Sequence, residues 1–219
     1  MWLEERVQAE GLAFVDDLGW VATGKDINQV VQTLQACAAE SIEWASRRDL
    51  QFDTAKKEAA LFTRRKGHKK HQRLELTAKI KVWNDLVRFN PEVTRWLGVS
   101  MDAHLTLKVH HNRCIEKARG AEARLCSLTR MQDIVPERVR AVQIAYVQAV
   151  VLYGSELWWD PREIGRREDL QLPLNQQARS TLGALLTTPM GALMRESGLT
   201  PAPVVTAQIG MRIFRDNGG

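Results

Sequence analysis

The chain has 219 residues, 44% of them hydrophobic and 26% charged, ordinary proportions for a soluble globular protein of one large domain or two small ones. No apolar run approaches the ~20 residues of a membrane span, and Glu4, Glu5 and Glu10 make the start unlike a signal peptide, so an intracellular protein without membrane contact is expected. A net charge of +5 permits a polyanionic partner, and three scattered cysteines (Cys37, Cys114, Cys126) read as reduced, mostly buried thiols.

After a charged opening, two short apolar runs, residues 11–15 and 18–22, flank Asp16 and Asp17. Each has the length and the β-branched or aromatic content of a strand, which predicts a β-hairpin with both acids in a two-residue turn. Adjacent acids in a turn are commonly just turn formers. They can also hold Mg²⁺, which takes one or two carboxylates and keeps water or phosphate oxygens elsewhere.

A helix is predicted next. Asp26 is a suitable N-cap with Gln29 three residues on, and Val30, Val31, Leu34, Ala38, Ile42 and Ala45 recur at helical spacing as far as Arg47-Arg48-Asp49. Residues 59–62 read as a strand. Strand, turn, strand, helix, strand is half of a ferredoxin-like antiparallel sheet.

Six of the ten residues from Arg64 to Arg73 are basic: Arg64, Arg65, Lys66, Lys69, Lys70 and Arg73. Such a run is either a solvated loop or a phosphate-contacting or nuclear-localisation patch. His68 and His71 lack partners at zinc-ligand spacing. A hairpin is expected over residues 80–82 and 86–89 with Asn84-Asp85 at its turn, followed by a short strand over 94–99.

Beyond Leu105 the pattern becomes helical. Leu107, His111, Cys114, Ile115, Ala118, Leu125 and Leu128 form one stripe. A second helix opens at Pro136, with Val139, Val142, Tyr146, Ala149, Val150 and Tyr153 expected inward. A third is expected over 173–186 and a shorter one over 191–196. Residues 200–219 read as a linker-like tail.

Four features follow in one order: Phe14-Val15-Asp16-Asp17, the capped helix, Phe52-Asp53-Thr54-Ala55-Lys56-Lys57-Glu58, and Thr94-Arg95-Trp96-Leu97-Gly98-Val99. That order resembles the second half of the polymerase domain of a non-long-terminal-repeat (LINE-like) retrotransposon reverse transcriptase. The resemblance continues through Leu152-Tyr153-Gly154-Ser155-Glu156-Leu157-Trp158, Gln177-Ala178-Arg179 and Thr187-Thr188-Pro189, covering residues 10–203. It implies an α+β fold, with a partial palm over 1–103 and a helical thumb-like region over 104–199.

The resemblance also implies roles. Asp16 and Asp17 would be palm carboxylates for Mg²⁺, Asp16 the better ligand. Lys56 would lie near the incoming nucleotide's phosphates, as general acid toward the leaving pyrophosphate. Trp96, Leu97 and Gly98 would belong to the hairpin that steadies the primer end. An RNA template and a DNA primer would be the partners, tracked by Lys and Arg of the thumb.

Two departures matter. Lys57 stands where the family commonly has threonine, which blurs which lysine faces the nucleotide. The second palm aspartate of a two-metal site lies well upstream of the Asp-Asp hairpin in this family, as do the fingers. Only fifteen residues precede Asp16, so a truncated piece without polymerase activity of its own is expected. The alternatives are a nucleic-acid-binding module without catalysis and a decayed reading frame with no activity.

Overall fold

The computed structural model describes residues 8–63, 78–90, 93–129, 134–160 and 164–216. By its contacts the chain divides into two compact units, Met1–Trp96 with Asp102–Leu105, and Leu97–Met101 with Thr106–Gly219. The class is α+β.

In the first unit, β1 (Gln8–Phe14) and β2 (Asp17–Thr23) pair antiparallel from Gln8 opposite Thr23 to Phe14 opposite Asp17. Helix α1 (Ile27–Ser46) starts where Asp26 accepts a hydrogen bond from the Asn28 backbone N–H at 3.0 Å. The Trp20 indole N–H donates to Ser41 Oγ at 2.9 Å, which ties β2 to α1. The same indole lies over Gly11, where a Cβ would come within 3.0 Å of its ring. Only glycine leaves that space.

The expected single antiparallel sheet is not what the described residues form. β1 and β2 pair with each other alone, and β3 (Ala59–Ala60) lies parallel to β5 (Asp85–Asn90), with β4 (Lys79–Val82) on the far side of β5. A two-residue strand carries too short an apolar pattern to specify its partner, and nothing in a local pattern distinguishes parallel from antiparallel pairing. The stretch expected as one strand over 94–99 is two, β6 (Val93–Trp96) and β7 (Val99–Asp102), paired as a two-stranded sheet. Leu97 and Gly98 turn between them with φ of 45° and 82°. Positive φ at both central residues is the type I′ pattern that matches strand twist.

The second unit is helical. Helix α2 (Lys108–Thr129) buries Cys114, Ile115, Ala118 and Leu125, much as the sequence stripe predicts. Helix α3 (Pro136–Val142) runs through a π-helical stretch, Gln143–Gln148, into α4 (Ala149–Val151). The buried residues there are Val139, Gln143, Val147, Gln148 and Val151, with Val150 partly buried against the main core, whereas Val142, Tyr146, Ala149 and Tyr153 are exposed. This corrects the expected inward face. A π segment widens the turn, so a stripe at a spacing of four stays on one side where a regular α-helix would carry it round.

Helix α5 (Ser155–Trp158) is short, and α6 (Ile164–Leu182) holds Pro173 inside it rather than at its start. Helix α7 (Met190–Ser197) follows, and α8 (Ala202–Asp216) occupies the expected linker with Ala202, Val205, Thr206 and Ile209 buried. Ile115, Ala118, Ala121 and Leu125 of α2 meet Val147, Val151, Leu170, Leu174 and Ala202 in the main core.

Candidate functional site

The turn of the first hairpin is Val15-Asp16, one residue earlier than expected, because Phe14 pairs with Asp17. Asp17 therefore opens β2, while Asp16 stands in the loop. Val15 has φ 55°, and its side chain is 94% exposed. Positive φ at the first turn position alone is the type II′ pattern, which favours glycine. A β-branched residue in the left-handed region costs on the order of 1–2 kcal/mol, and at this exposure burial offsets none of it. Strain of this kind collects where a turn must present particular side chains.

Both aspartates are exposed, and neither side chain takes part in a hydrogen bond or ion pair among the described residues. No three His, Cys, Asp or Glu side chains come together as a metal group among those residues. Asp16 and Asp17 are two carboxylates, and Mg²⁺ takes one or two from protein when phosphates and water complete its shell. Such an ion would neutralise charge on phosphate oxygens; the two aspartates would hold it.

Lys56 ends a 3₁₀ turn, Thr54–Lys56, capped by Asp53, whose side chain accepts from the Ala55 N–H at 2.9 Å. Its ammonium lies 3.7 Å from Asp53 Oδ2, with the side chain 82% exposed. Lys57 is different. Its ammonium is 2.6 Å from Asp85 Oδ2, and its side chain is only 16% exposed. Lys57 is engaged in holding the start of β5, which leaves Lys56 as the solvent-facing lysine of the pair. No hydrogen bond or ion pair joins Lys56 to either aspartate. Arg64, Arg65, Lys66, Lys69, Lys70 and Arg73 lie outside the described residues, as do His68 and His71.

Leu97 and Gly98 are built into a knot of contacts in the helical unit. The Tyr153 phenol donates to the Leu97 carbonyl at 2.6 Å, and a Cβ on Gly98 would stand 3.0 Å from the same oxygen. His110 is buried behind them. Its Nδ1 accepts from the Ser100 N–H at 3.3 Å, and its Nε2 faces the Tyr153 carbonyl at 3.0 Å. A backbone N–H can only donate and a carbonyl only accept, so this pairing selects the neutral Nε2–H tautomer. Trp158 Nε1 donates to the same carbonyl at 3.2 Å, and Arg113 donates to Ser100 Oγ at 2.6 Å. Gly154, at φ 63°, leaves room for His110 Nε2 only 3.2 Å from where its Cβ would stand. Trp96, at the end of β6, packs instead within the first unit, its ring 3.1 Å from where a Cβ of Gly19 would stand.

One feature escaped the sequence reading. Lys79 and Arg88 are directly opposite each other on β4 and β5, both exposed, with Lys81 two residues along on the same face. The period-two alternation of residues 79–82 marks the exposed side, but only the register places the two cations together. Like charges directly opposite are destabilising.

A scan against protein-family models and searches of curated proteins and of solved structures return no match for the chain. Among the described residues no helix is long and apolar enough to cross a membrane.

Proposed function

We propose that the chain is part of an RNA-directed DNA polymerase of the non-long-terminal-repeat retrotransposon type. On this reading it carries one wall of a two-metal nucleotidyl-transfer site and a thumb-like helical region. The observation that carries the reading is the strained Val15 turn, which presents Asp16 and Asp17 at the tip of a seven-pair hairpin. The order of motifs through Lys56, Leu97-Gly98 and Tyr153-Gly154 supports it.

In this function Asp16 and Asp17 would hold Mg²⁺, which would neutralise phosphate charge. Lys56, exposed and within a flexible reach of solvent, supplies a cation and a proton to the departing pyrophosphate. The Leu97-Gly98 turn, fixed by Tyr153, bears on the primer end. A two-metal clamp also needs a facing carboxylate, and the described residues bring none to Asp16 and Asp17.

Primer extension on an RNA template tests this. The 219-residue chain with Mg²⁺ is expected to show none. Supplying in trans a segment with a strand-borne aspartate and a fingers region is expected to restore extension that disappears in Asp16→Asn. Incorporation by the chain alone that survives Asp16→Asn would refute the assignment.

A second reading, nucleic-acid binding without catalysis, is favoured by the Lys79–Arg88 pair, whose mutual repulsion a polyanion would relieve. Its mark is duplex affinity that falls steeply with salt and shows little sequence preference. Affinity unchanged from low to moderate salt would remove this reading.

A further inference from the structure

The hairpin of β4 and β5 has two unlike faces. Ile80 and Phe89 are buried and mark the inward one. The other carries Lys79 opposite Arg88 and Lys81 opposite Leu86, all four exposed, Leu86 by 61%. Lys79, Lys81 and Arg88 make no ion pair among the described residues. Asp85 is the one acid between Lys79 and Asn90; its register puts it on the opposite side, where Lys57 holds it at 2.6 Å. The cationic face therefore has no counter-charge within its own hairpin.

At the tip, Val82 pairs with Asp85, so Trp83 and Asn84 form the turn. Trp83 has φ 59°, at the position where a type II′ turn favours glycine. The indole is thus carried by a backbone conformation that a side chain disfavours. It is 46% exposed and takes part in no hydrogen bond or ring contact among the described residues. Along an extended strand, Trp83 lies about 14 Å beyond Lys79, with Lys81 midway. About four stacked nucleotides, at ~3.4 Å each, cover that length.

We propose that this hairpin is a docking surface for an unpaired nucleic-acid strand, with phosphates on Lys79, Lys81 and Arg88 and a base stacked on Trp83. The inference rests on the nucleic-acid binding common to both proposed functions, and adds to it the state of the strand. Cations alone attract any polyanion and hold duplex and single strand alike. An exposed indole adds a flat surface on which an unpaired base stacks, whereas a base inside a duplex offers no free face. Leu86 gives apolar contact among the cations. An acidic peptide would meet the charges but would have no use for the indole.

The test is fluorescence anisotropy of the full chain with a short labelled oligothymidylate and with a duplex of the same length. Trp83→Gly is the deciding variant, because it removes the ring at a position whose dihedral favours glycine. It is expected to keep or raise the thermal midpoint, to weaken oligothymidylate binding about fivefold or more, and to leave duplex affinity unchanged. Trp83→Phe retains an aromatic face and is expected to recover most of the loss. Lys79→Gln is expected to weaken both ligands and to lower the salt slope of each.

Oligothymidylate affinity unchanged in Trp83→Gly, with salt-dependent binding retained, would overturn the proposal and leave the nucleic-acid reading standing. An equal loss for duplex would also overturn it, since a paired base has no free face to stack. A wild-type chain that binds neither ligand would remove that reading and the proposal together. Polyglutamate supplies charge without bases. If Trp83→Gly weakens its binding as much as that of oligothymidylate, the partner is an acidic protein and the proposal fails.

Discussion

The phenol of Tyr153 donates a 2.6 Å hydrogen bond to the carbonyl of Leu97, fifty-six residues earlier in the chain. That bond and the absence of a side chain at Gly98 act together, since the space a Cβ would fill is the space the tyrosine occupies. Tyr153→Phe removes one hydrogen bond and is expected to cost about 1 kcal/mol. Gly98→Ala must hold φ near 82° and also displace the ring, and is expected to cost about 2 kcal/mol or more. Thermal denaturation should show Tm falling by about 2–4 °C per kcal/mol, with Gly98→Ala the lower of the two. The reverse order would mean that Tyr153 does not pack over Gly98.

Val15 is held at φ 55° and buries nothing. Val15→Gly is therefore expected to raise stability by up to about 1 kcal/mol, the relief of left-handed strain less the extra entropy glycine has when unfolded. Chemical denaturation measures this directly. A loss of stability would show that the turn does not carry the strain its dihedral implies.

The two lysines after Thr54 should separate cleanly. Lys57, largely covered itself, makes a short contact with the exposed Asp85, and Lys57→Met is expected to destabilise by about 0.5–1 kcal/mol. Lys56 is exposed and loosely placed against Asp53, so Lys56→Met is expected to leave stability unchanged. On the proposed function it is Lys56→Met that would depress nucleotide incorporation in the reconstituted assay. Equal urea midpoints for the two variants would contradict the assignment of Lys57 to a structural pair.

Arg88→Gln offers a test with opposite signs. Removing one member of the Lys79–Arg88 pair relieves cross-strand repulsion and is expected to stabilise by about 0.2–1 kcal/mol. If that face contacts phosphates, the same change weakens duplex binding and reduces the slope of log K against log salt by about 1. Fluorescence anisotropy across a salt series reads the second effect. An unchanged slope would take β4 and β5 out of the binding surface.

Burial pushes the Cys114 thiol above its usual range, with Lys117 opposing part of the shift. The folded state therefore favours the protonated thiol more than the unfolded state does. The contribution to stability is complete below the unfolded value, near 9.0, and is lost as pH rises through the folded value. The stability difference between the wild-type chain and Cys114→Ala should accordingly shrink above about pH 9. A difference constant with pH would show that the thiol titrates alike in both states.

What the sequence determined by itself was local. The Asp26 cap, the apolar stripe of α2, the existence of the two hairpins around Asp16-Asp17 and Asn84-Asp85 and the α+β class all follow from interactions within a few residues. A 3.6-residue or two-residue period records those interactions in the order of side chains. Asp16 and Asp17 were visible for the same reason, whereas Leu97 and Gly98 were singled out only by the resemblance in the order of motifs. Tertiary structure alone decided the rest. Register placed Val15 rather than Asp17 in the turn and set Lys79 against Arg88, because a one-residue shift in pairing is fixed by what each face packs against. The π stretch turned Gln143 inward toward Glu122, which no stripe predicts, since regular periodicity assumes a regular helix. The linker-like tail became α8 because Ala202, Val205 and Ile209 had a core to enter. Local pattern says which side chains want burial; only the assembled fold supplies the surface that buries them.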